Sequence, residues 1–117
     1  MKKIIFLLLY LSTTTVLLAQ KDKAFEKIIV IRKKLTDGAD FCELAKKYSE
    51  DVASARYCGQ IGMYEKNELV KNYADMMVLL KVGEISNVIE TEYGYHIIQL
   101  LSVQGSKYET RHILIKH

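Results

Sequence analysis

The sequence contains no proline, only six glycines and only two cysteines. It has no low-complexity run and no internal repeat, so nothing indicates a repeat array. A chain of 117 residues has room for one domain at most. No glycine-rich phosphate loop, metal-ligand spacing or nucleophile elbow occurs. The sequence therefore contains no motif of the common nucleotide-binding, metal-dependent or hydrolase sites.

The two cysteines, Cys42 and Cys58, lack the C-x-x-C or histidine-rich spacing that would indicate redox or metal chemistry. Their simplest interpretation is a pair of unpaired thiols. Export from the cytoplasm would permit a disulfide between them, and the sequence leaves the pairing open.

The first nineteen residues have the pattern of a secretory signal peptide. Lys2 and Lys3 precede an apolar segment that ends at Ala19. We expect cleavage after Ala19, which leaves residues 20–117 as a single domain. The alternative is an uncut membrane anchor. Polar residues interrupt the apolar segment, however, and it is shorter than the roughly 20 residues of a spanning helix.

The charge of the chain gives no sign of a nucleic-acid partner. The net charge is +3, and it falls to +1 when Lys2 and Lys3 leave with a signal segment that carries no acidic residue. Lysines and glutamates alternate along the rest of the chain, which is typical of a solvated surface. Nucleic-acid binding requires a basic stripe instead.

Helical periodicity dominates the first half of the chain. Apolar residues recur at helical spacing over residues 21–37, and Gly38 follows where such a helix would end. Asp40 stands at the start of a second helix, with Glu43 three residues later, as in a capping box. We therefore expect two consecutive helices here.

The second half of the chain changes from helical to strand periodicity. Asn67 stands where it would cap a third helix that ends at Gly83. Two short strands are expected within residues 86–104, and a third over residues 108–117. Helices followed by an antiparallel sheet indicate an α+β domain with the helices packed on the sheet.

Three polar residues stand out as candidate site residues. His96 and His112 lie in apolar strands, and Asp51 lies in the glycine-bearing segment between the second and third helices. Taken singly, each has an ordinary structural explanation, either a packed histidine with one hydrogen bond or an aspartate in a turn.

The hairpin expected between the last two strands favours a shared role for the two histidines. Gly105 and Ser106 allow a tight turn, and a loop centred near Gln104 would place the histidines directly opposite each other, with Cβ atoms about 5 Å apart. Buried ring nitrogens need hydrogen-bond partners. The candidates are the two rings themselves and three nearby hydroxyl residues, Thr91, Tyr93 and Tyr95.

Two segments resemble the parvulin peptidyl-prolyl cis-trans isomerases, and most of all the exported bacterial folding factors of the SurA/PrsA type. They are "GADFCELAKKYSED" and "GEIS…TEYGYHII", and the resemblance extends roughly from Ala24 to Leu101. It implies a parvulin-like α+β fold, with an antiparallel sheet of about four strands and three or four helices. It also implies isomerisation of X–Pro bonds without a nucleophile, metal or cofactor.

The resemblance implies site residues position by position. His96 matches the second histidine of the family's pair, and Asp51 falls in the loop that holds the family's acidic or cysteine residue. The apolar positions that cup the substrate proline ring match Ile61, Leu69 and Tyr73.

The family's first histidine belongs to an opening strand of the "HIL" type, and no such strand precedes the first helix here. The chain has one "HIL", which begins at His112. We therefore expect residues 108–117 to fill the place of the opening strand, with His112 beside His96, as in a natural circular permutation. The alternatives are that this strand begins a second repeat, or that the chain is a truncated fragment of a tandem-domain isomerase.

The sequence departs from the family pattern at several positions. Tyr73 replaces a usual phenylalanine and would add a hydroxyl to the pocket floor, Leu69 replaces a frequent methionine, and Cys58 takes a position that is often glycine. The basic loop that some parvulins use for phosphorylated substrates has no counterpart. These changes leave open a second hypothesis, a non-catalytic chaperone or peptide-binding module with a parvulin fold.

The resemblance also implies partners and a location. The expected partners are unfolded or proline-containing polypeptides, among them envelope or secreted proteins, and no nucleic acid is expected. The expected location is the periplasm or the cell envelope. Contact with a membrane is expected only if the signal segment stays uncleaved.

Overall fold

The structure is a computed structural model that describes the backbone of residues 2–117 and the side chains of residues 14–117. Within this part of the chain, helices and one antiparallel sheet form an α+β domain, which confirms the predicted fold class. The helices are α1 (Lys2–Thr36), α2 (Phe41–Tyr48), α3 (Val52–Ala55) and α4 (Lys71–Met77). The strands are β1 (Gln60–Glu65), β2 (Ile89–Thr91), β3 (Gly94–Gln104) and β4 (Lys107–Lys116).

The predicted signal segment, residues 1–19, lies largely outside the residues whose side chains are described, so its cleavage stays a prediction. Among the described residues, no helix combines the length and the apolar character that crossing a membrane requires.

The sheet has the strand order β1-β4-β3-β2, and all neighbouring strands are antiparallel. The last strand of the chain, β4, therefore lies inside the sheet rather than at an edge. It pairs with β3 along its whole length, from Gly94 opposite Lys116 to Gln104 opposite Lys107. As expected from the sequence, β4 lies beside the strand that carries His96.

Both faces of the sheet are covered. Helices α1 and α2 pack on one face, where the apolar stripe of α1 is buried as its periodicity predicts. The buried residues of this layer include Ala24, Ile28, Ile31, Leu35, Phe41, Ile97 and Ile113. Helix α4 covers part of the other face with Tyr73 and Met77, which pack against Ile98. Because Ile97 and Ile98 point to opposite faces, β3 is buried on both sides.

The ends of the first two helices agree with the sequence patterns. Gly38 follows α1 with a φ of 100°, a conformation that glycine adopts without steric penalty. Asp40 is the N-cap of α2, and its Oδ2 accepts a hydrogen bond of 2.9 Å from the backbone N–H of Glu43.

The predicted third helix is wrong at both ends. Glu65 and Glu68 cap each other's backbone and close a separate 3-10 turn over Lys66–Glu68, so Asn67 falls inside that turn. The chain then extends, and α4 begins only at Lys71. It ends at Met77, well before Gly83.

Cys42 and Cys58 form a disulfide, so the interpretation as unpaired thiols is wrong. Cys42 lies in the first turn of α2 and Cys58 lies just before β1. Their Cα atoms are 4.2 Å apart at a sequence separation of 16. This proximity comes from the packing of α2 against the segment before β1, which neither local sequence shows.

Candidate functional site

A groove of about 520 Å³ opens between α4, the segment after α2, and the sheet. Its lining contains all six residues singled out from the sequence, Asp51, Ile61, Leu69, Tyr73, His96 and His112. A larger hollow of about 770 Å³ shares Leu69 with this groove but includes neither histidine. The groove with the histidines is therefore the candidate site.

The two histidines reach the groove from adjacent strands, but they are not directly opposite each other. His96 pairs with Leu114, and His112 pairs with Ile98, so the histidines are diagonal neighbours. The predicted register is wrong because the turn centres on Gly105 and Ser106 rather than on Gln104. A bulge after Leu100 shifts the register back by only one residue, which does not restore the predicted pairing.

The imidazole rings nevertheless meet. They stack with centroids 5.3 Å apart and an interplanar angle of 24°, and their Nδ1 atoms are 3.1 Å apart. Nε2 of His96 lies 2.7 Å from the hydroxyl of Thr91. Nε2 of His112 lies 2.7 Å from Oδ2 of Asp51. All four ring nitrogens therefore have a partner, although both residues are buried.

The surroundings fix the charges of the three titratable groups. Burial, together with the neighbouring His112, lowers the pKa of His96 to about 4. Burial also lowers the pKa of His112, although the hydrogen bond to Asp51 opposes this effect. Burial raises the pKa of Asp51, but hydrogen bonds from Ser54 and His112 outweigh it, and the net pKa is lowered. At neutral pH the site therefore holds a carboxylate and two neutral imidazoles.

These charges determine the direction of every hydrogen bond in the network. The carboxylate of Asp51 only accepts, so His112 carries its hydrogen on Nε2, and its Nδ1 is an acceptor. His96 must then donate from Nδ1, which leaves its Nε2 to accept from the hydroxyl of Thr91. The backbone N–H of Tyr93 donates in turn to the Thr91 oxygen at 3.2 Å.

The result is a continuous chain of hydrogen bonds that runs from the Tyr93 backbone to Asp51. At its end, Oδ2 of Asp51 also accepts from the hydroxyl of Ser54 at 2.6 Å. Each imidazole N–H is engaged within the chain. Both N–H groups are therefore already bonded within the protein.

Tyr73 forms the floor beside this histidine pair. Its ring lies edge-on to both histidines, with centroids 5.6 Å from His96 and 5.7 Å from His112. Its hydroxyl is hydrogen-bonded to the hydroxyl of Thr110 at 2.9 Å, and both residues are buried. The hydroxyl expected in the pocket floor is therefore already bonded to Thr110 of the sheet.

The apolar part of the groove is provided by Ile61 of β1 and Leu69, which precedes α4. Both are partly buried and pack against the cluster around Tyr73. At the rim, Val52 is 78% exposed and Tyr93 is 57% exposed. The groove thus combines a packed apolar floor with an exposed apolar edge.

Sequence reasoning missed some of these residues. Ser54 stands three residues after Asp51, a spacing typical of helix N-terminal hydrogen bonding, and this signal could have identified it. Val52 was missed because α3 was not predicted. Of the three hydroxyl candidates, Thr91 bonds to His96 and Tyr93 contributes its backbone. Tyr95 faces away from the site, and its ring packs against Phe25 instead.

No group of three or more His, Cys, Asp and Glu side chains among the described residues is arranged to hold a metal ion.

Comparisons with known proteins point in one direction. Residues 3–104 match the family model of the PPIC-type PPIase domain. Foldase protein PrsA of Geobacillus sp. (strain WCH70) is 38% identical over 91 residues, which cover 78% of this chain and 32% of that protein. Chaperone SurA of Methylobacillus flagellatus is 43% identical over 79 residues, which cover 68% of this chain and 18% of that protein.

A solved structure is similar as well. The crystal structure of the peptidylprolyl isomerase PrsA from Bacillus anthracis superimposes with a TM-score of 0.65 at 34% identity. The match covers 74% of this chain and 38% of that one. The chain spans about a third of the length of the PrsA relatives that it matches, and less of SurA.

Proposed function

This chain belongs to the family of PPIC-type peptidyl-prolyl isomerase domains, and we propose that it isomerises X–Pro bonds in exported polypeptides. One observation carries the proposal. An apolar groove lies directly above an unbroken hydrogen-bonded chain that joins Thr91, His96, His112 and Asp51.

The groove suits the physical demands of the reaction. Rotation about the amide bond faces a barrier of about 18–20 kcal/mol, because resonance gives the C–N bond partial double-bond character. Twisting the amide removes that resonance and its charge separation. Surroundings that hold the proline ring against Ile61, Leu69 and Tyr73, and keep water from the carbonyl, therefore favour the twisted form. Catalysis requires this preference for the transition state over the planar substrate.

In this proposal the histidines act through shape and electrostatics. Their N–H groups are engaged with each other and with Asp51, so no covalent step or proton transfer to substrate is invoked. The charge of Asp51 maintains the tautomers, and the tautomers maintain the position of the two rings beside Tyr73.

The relatives suggest which polypeptides are bound. They are named as a foldase and a chaperone, and we propose that this chain acts on unfolded, proline-containing segments of envelope or secreted proteins. X–Pro isomerisation takes tens to hundreds of seconds without a catalyst and limits folding. A location in the periplasm or cell envelope, reached through the predicted signal segment, fits this role.

A protease-coupled assay with Ala-Pro peptides tests the activity. The folded chain is expected to accelerate isomerisation above the uncatalysed rate, and Asp51→Ala is expected to reduce the acceleration. A sample that is folded by circular dichroism and shows no rate above background would exclude the enzymatic proposal.

A second function, non-catalytic peptide binding, is favoured by the exposed apolar rim. Val52, Val70 and Tyr93 are all exposed beside the groove, which would suit unfolded segments of varied sequence. This hypothesis predicts that unfolded peptides still bind to the variants His96→Ala and His112→Ala. Loss of binding in both variants, with the fold intact, would count against it.

A further inference from the structure

The segment between α2 and β1, residues 49–59, holds Asp51 in place, and we call it the site loop. Its first residues are fastened to β4. The backbone N–H of Glu50 donates to the carbonyl of Leu114 at 2.7 Å, and the N–H of Leu114 donates to the hydroxyl of Ser49 at 3.1 Å. The start of the site loop therefore lies two residues beyond His112 along the strand.

The other end of the site loop is fastened at His112 itself. The backbone N–H of His112 donates to the carbonyl of Gly59 at 2.9 Å. Gly59 has a φ of 81°, and a Cβ atom built there would overlap the carbonyl oxygen of His112. The two backbones are thus in direct contact, and a shift of the loop at this end acts directly on the residue that Asp51 bonds.

Cys58 immediately precedes this contact. Its φ is 63°, and it is the one non-glycine residue with a positive φ in the described part of the chain. L-residues are disfavoured in this conformation, and glycine would suit the position better. Instead a cysteine is present, and it is bonded to Cys42.

The partner of Cys58 lies on a rigid support. Cys42 belongs to α2, which is anchored in the core by Phe41, Leu44 and Ala45. The disulfide therefore connects the end of the site loop to a helix packed on the far face of the sheet. At this end of the site loop the disulfide therefore adds a covalent restraint to the hydrogen bonds with β4.

We propose that the disulfide between Cys42 and Cys58 is a positioning device for the candidate site. It holds Gly59 against His112, and it thereby maintains the hydrogen bond between Nε2 of that histidine and the carboxylate of Asp51. The kinetic part of this inference rests on the proposed isomerase function, whereas the structural part does not.

The test compares the native protein with the double variant Cys42→Ala/Cys58→Gly. This variant removes the bond and both sulfur atoms, and it places at residue 58 a glycine, which adopts a positive φ without steric penalty. Ile28→Ala is the control, since Ile28 is fully buried on the face of the sheet away from the groove. It lowers stability without touching the site loop. All proteins are studied at a temperature at which they are folded.

Two measurements are made, ¹⁵N NMR of the imidazole rings and kcat/KM in the Ala-Pro assay. In the double variant we expect the Nε2–H signal of His112 to lose its protection from solvent exchange. We expect kcat/KM to fall roughly tenfold or more, because small displacements at a preorganised site have effects of this size. In the control, Ile28→Ala, we expect the protection of this signal and kcat/KM to remain unchanged.

Unchanged imidazole signals together with unchanged kcat/KM, in a variant that merely melts earlier, would overturn the proposal. If the double variant does not fold, the native protein is reduced with a phosphine and the same signals are followed. Unfolding upon reduction would also overturn it, because the bond would then maintain the fold rather than the loop.

If the native protein shows no isomerase activity, the proposed function fails, and the imidazole signals still decide the positioning role.

Discussion

The Nδ1 atoms of His96 and His112 lie 3.1 Å apart although the two residues are diagonal, not opposite, neighbours in the sheet. Only one of these nitrogens carries a hydrogen when both rings are neutral. Asp51 decides which one, because its carboxylate requires the hydrogen of His112 to be on Nε2. A partly buried carboxylate thus controls the tautomers of both histidines.

Asp51→Asn should disturb this arrangement without changing the volume of the side chain. The amide can still accept from His112, but it lacks the charge that enforces one tautomer. We expect mixed tautomers in ¹⁵N NMR spectra and a loss of about tenfold in kcat/KM, as for the loss of one charge-assisted hydrogen bond. Asp75→Asn, which removes an acid paired with Lys66 and Lys71, should leave both measurements unchanged.

Acid should destabilise the fold through the histidines. The pKa of His96 is lowered to about 4, whereas an unfolded histidine titrates near 6.5. Between these values the unfolded chain binds more protons than the folded chain, so the free energy of unfolding decreases as the pH falls. The effect of His96 alone amounts to about 3 kcal/mol over the whole window. The lowered pKa of His112 acts in the same direction.

Urea unfolding between pH 7 and pH 4 measures this effect. His96→Gln should flatten the pH dependence, and His117→Gln should retain most of it because His117 lies outside the pair. A free energy of unfolding that does not change between these pH values in the native protein would contradict the buried, neutral state of the histidines.

Tyr73→Phe should affect stability more than activity. The ring beside the histidines is kept, but the buried hydroxyl of Thr110 loses its partner, which costs about 1–3 kcal/mol. The double variant Tyr73→Phe/Thr110→Val removes both polar groups and should regain most of the loss. Chemical unfolding of the three proteins provides the comparison. A double variant no more stable than Tyr73→Phe would show that the hydrogen bond is not the cause.

Leu69→Ala should weaken the apolar groove. Removing part of a half-buried leucine is expected to cost about 1–2 kcal/mol of transition-state binding, which corresponds to roughly a 5- to 30-fold decrease in kcat/KM. Leu79→Ala is the matched control, since Leu79 is 75% exposed and lies outside the groove. Equal effects of the two substitutions in the Ala-Pro assay would argue against the groove as the binding site.

Much of the fold follows from local patterns in the sequence. The apolar stripe from Ala24 to Leu35, the stop at Gly38 and the cap at Asp40 each depend on residues within one or two turns of helix. The predicted start of the third helix is wrong for a reason that is also local. Asn67 is a good capping residue, but the reciprocal pair Glu65 and Glu68 closes a competing turn first.

The sequence by itself determined the secondary-structure types, the buried stripe of α1 and the residue types available to the site. Those properties depend on side chains that are near neighbours along the chain. Only the tertiary structure decided the diagonal pairing of His96 with His112, the bond from His112 to Asp51 and the disulfide of Cys42 with Cys58. These contacts join residues 16, 61 and 16 positions apart. They depend on a strand bulge and on the packing of α2, which no local periodicity records.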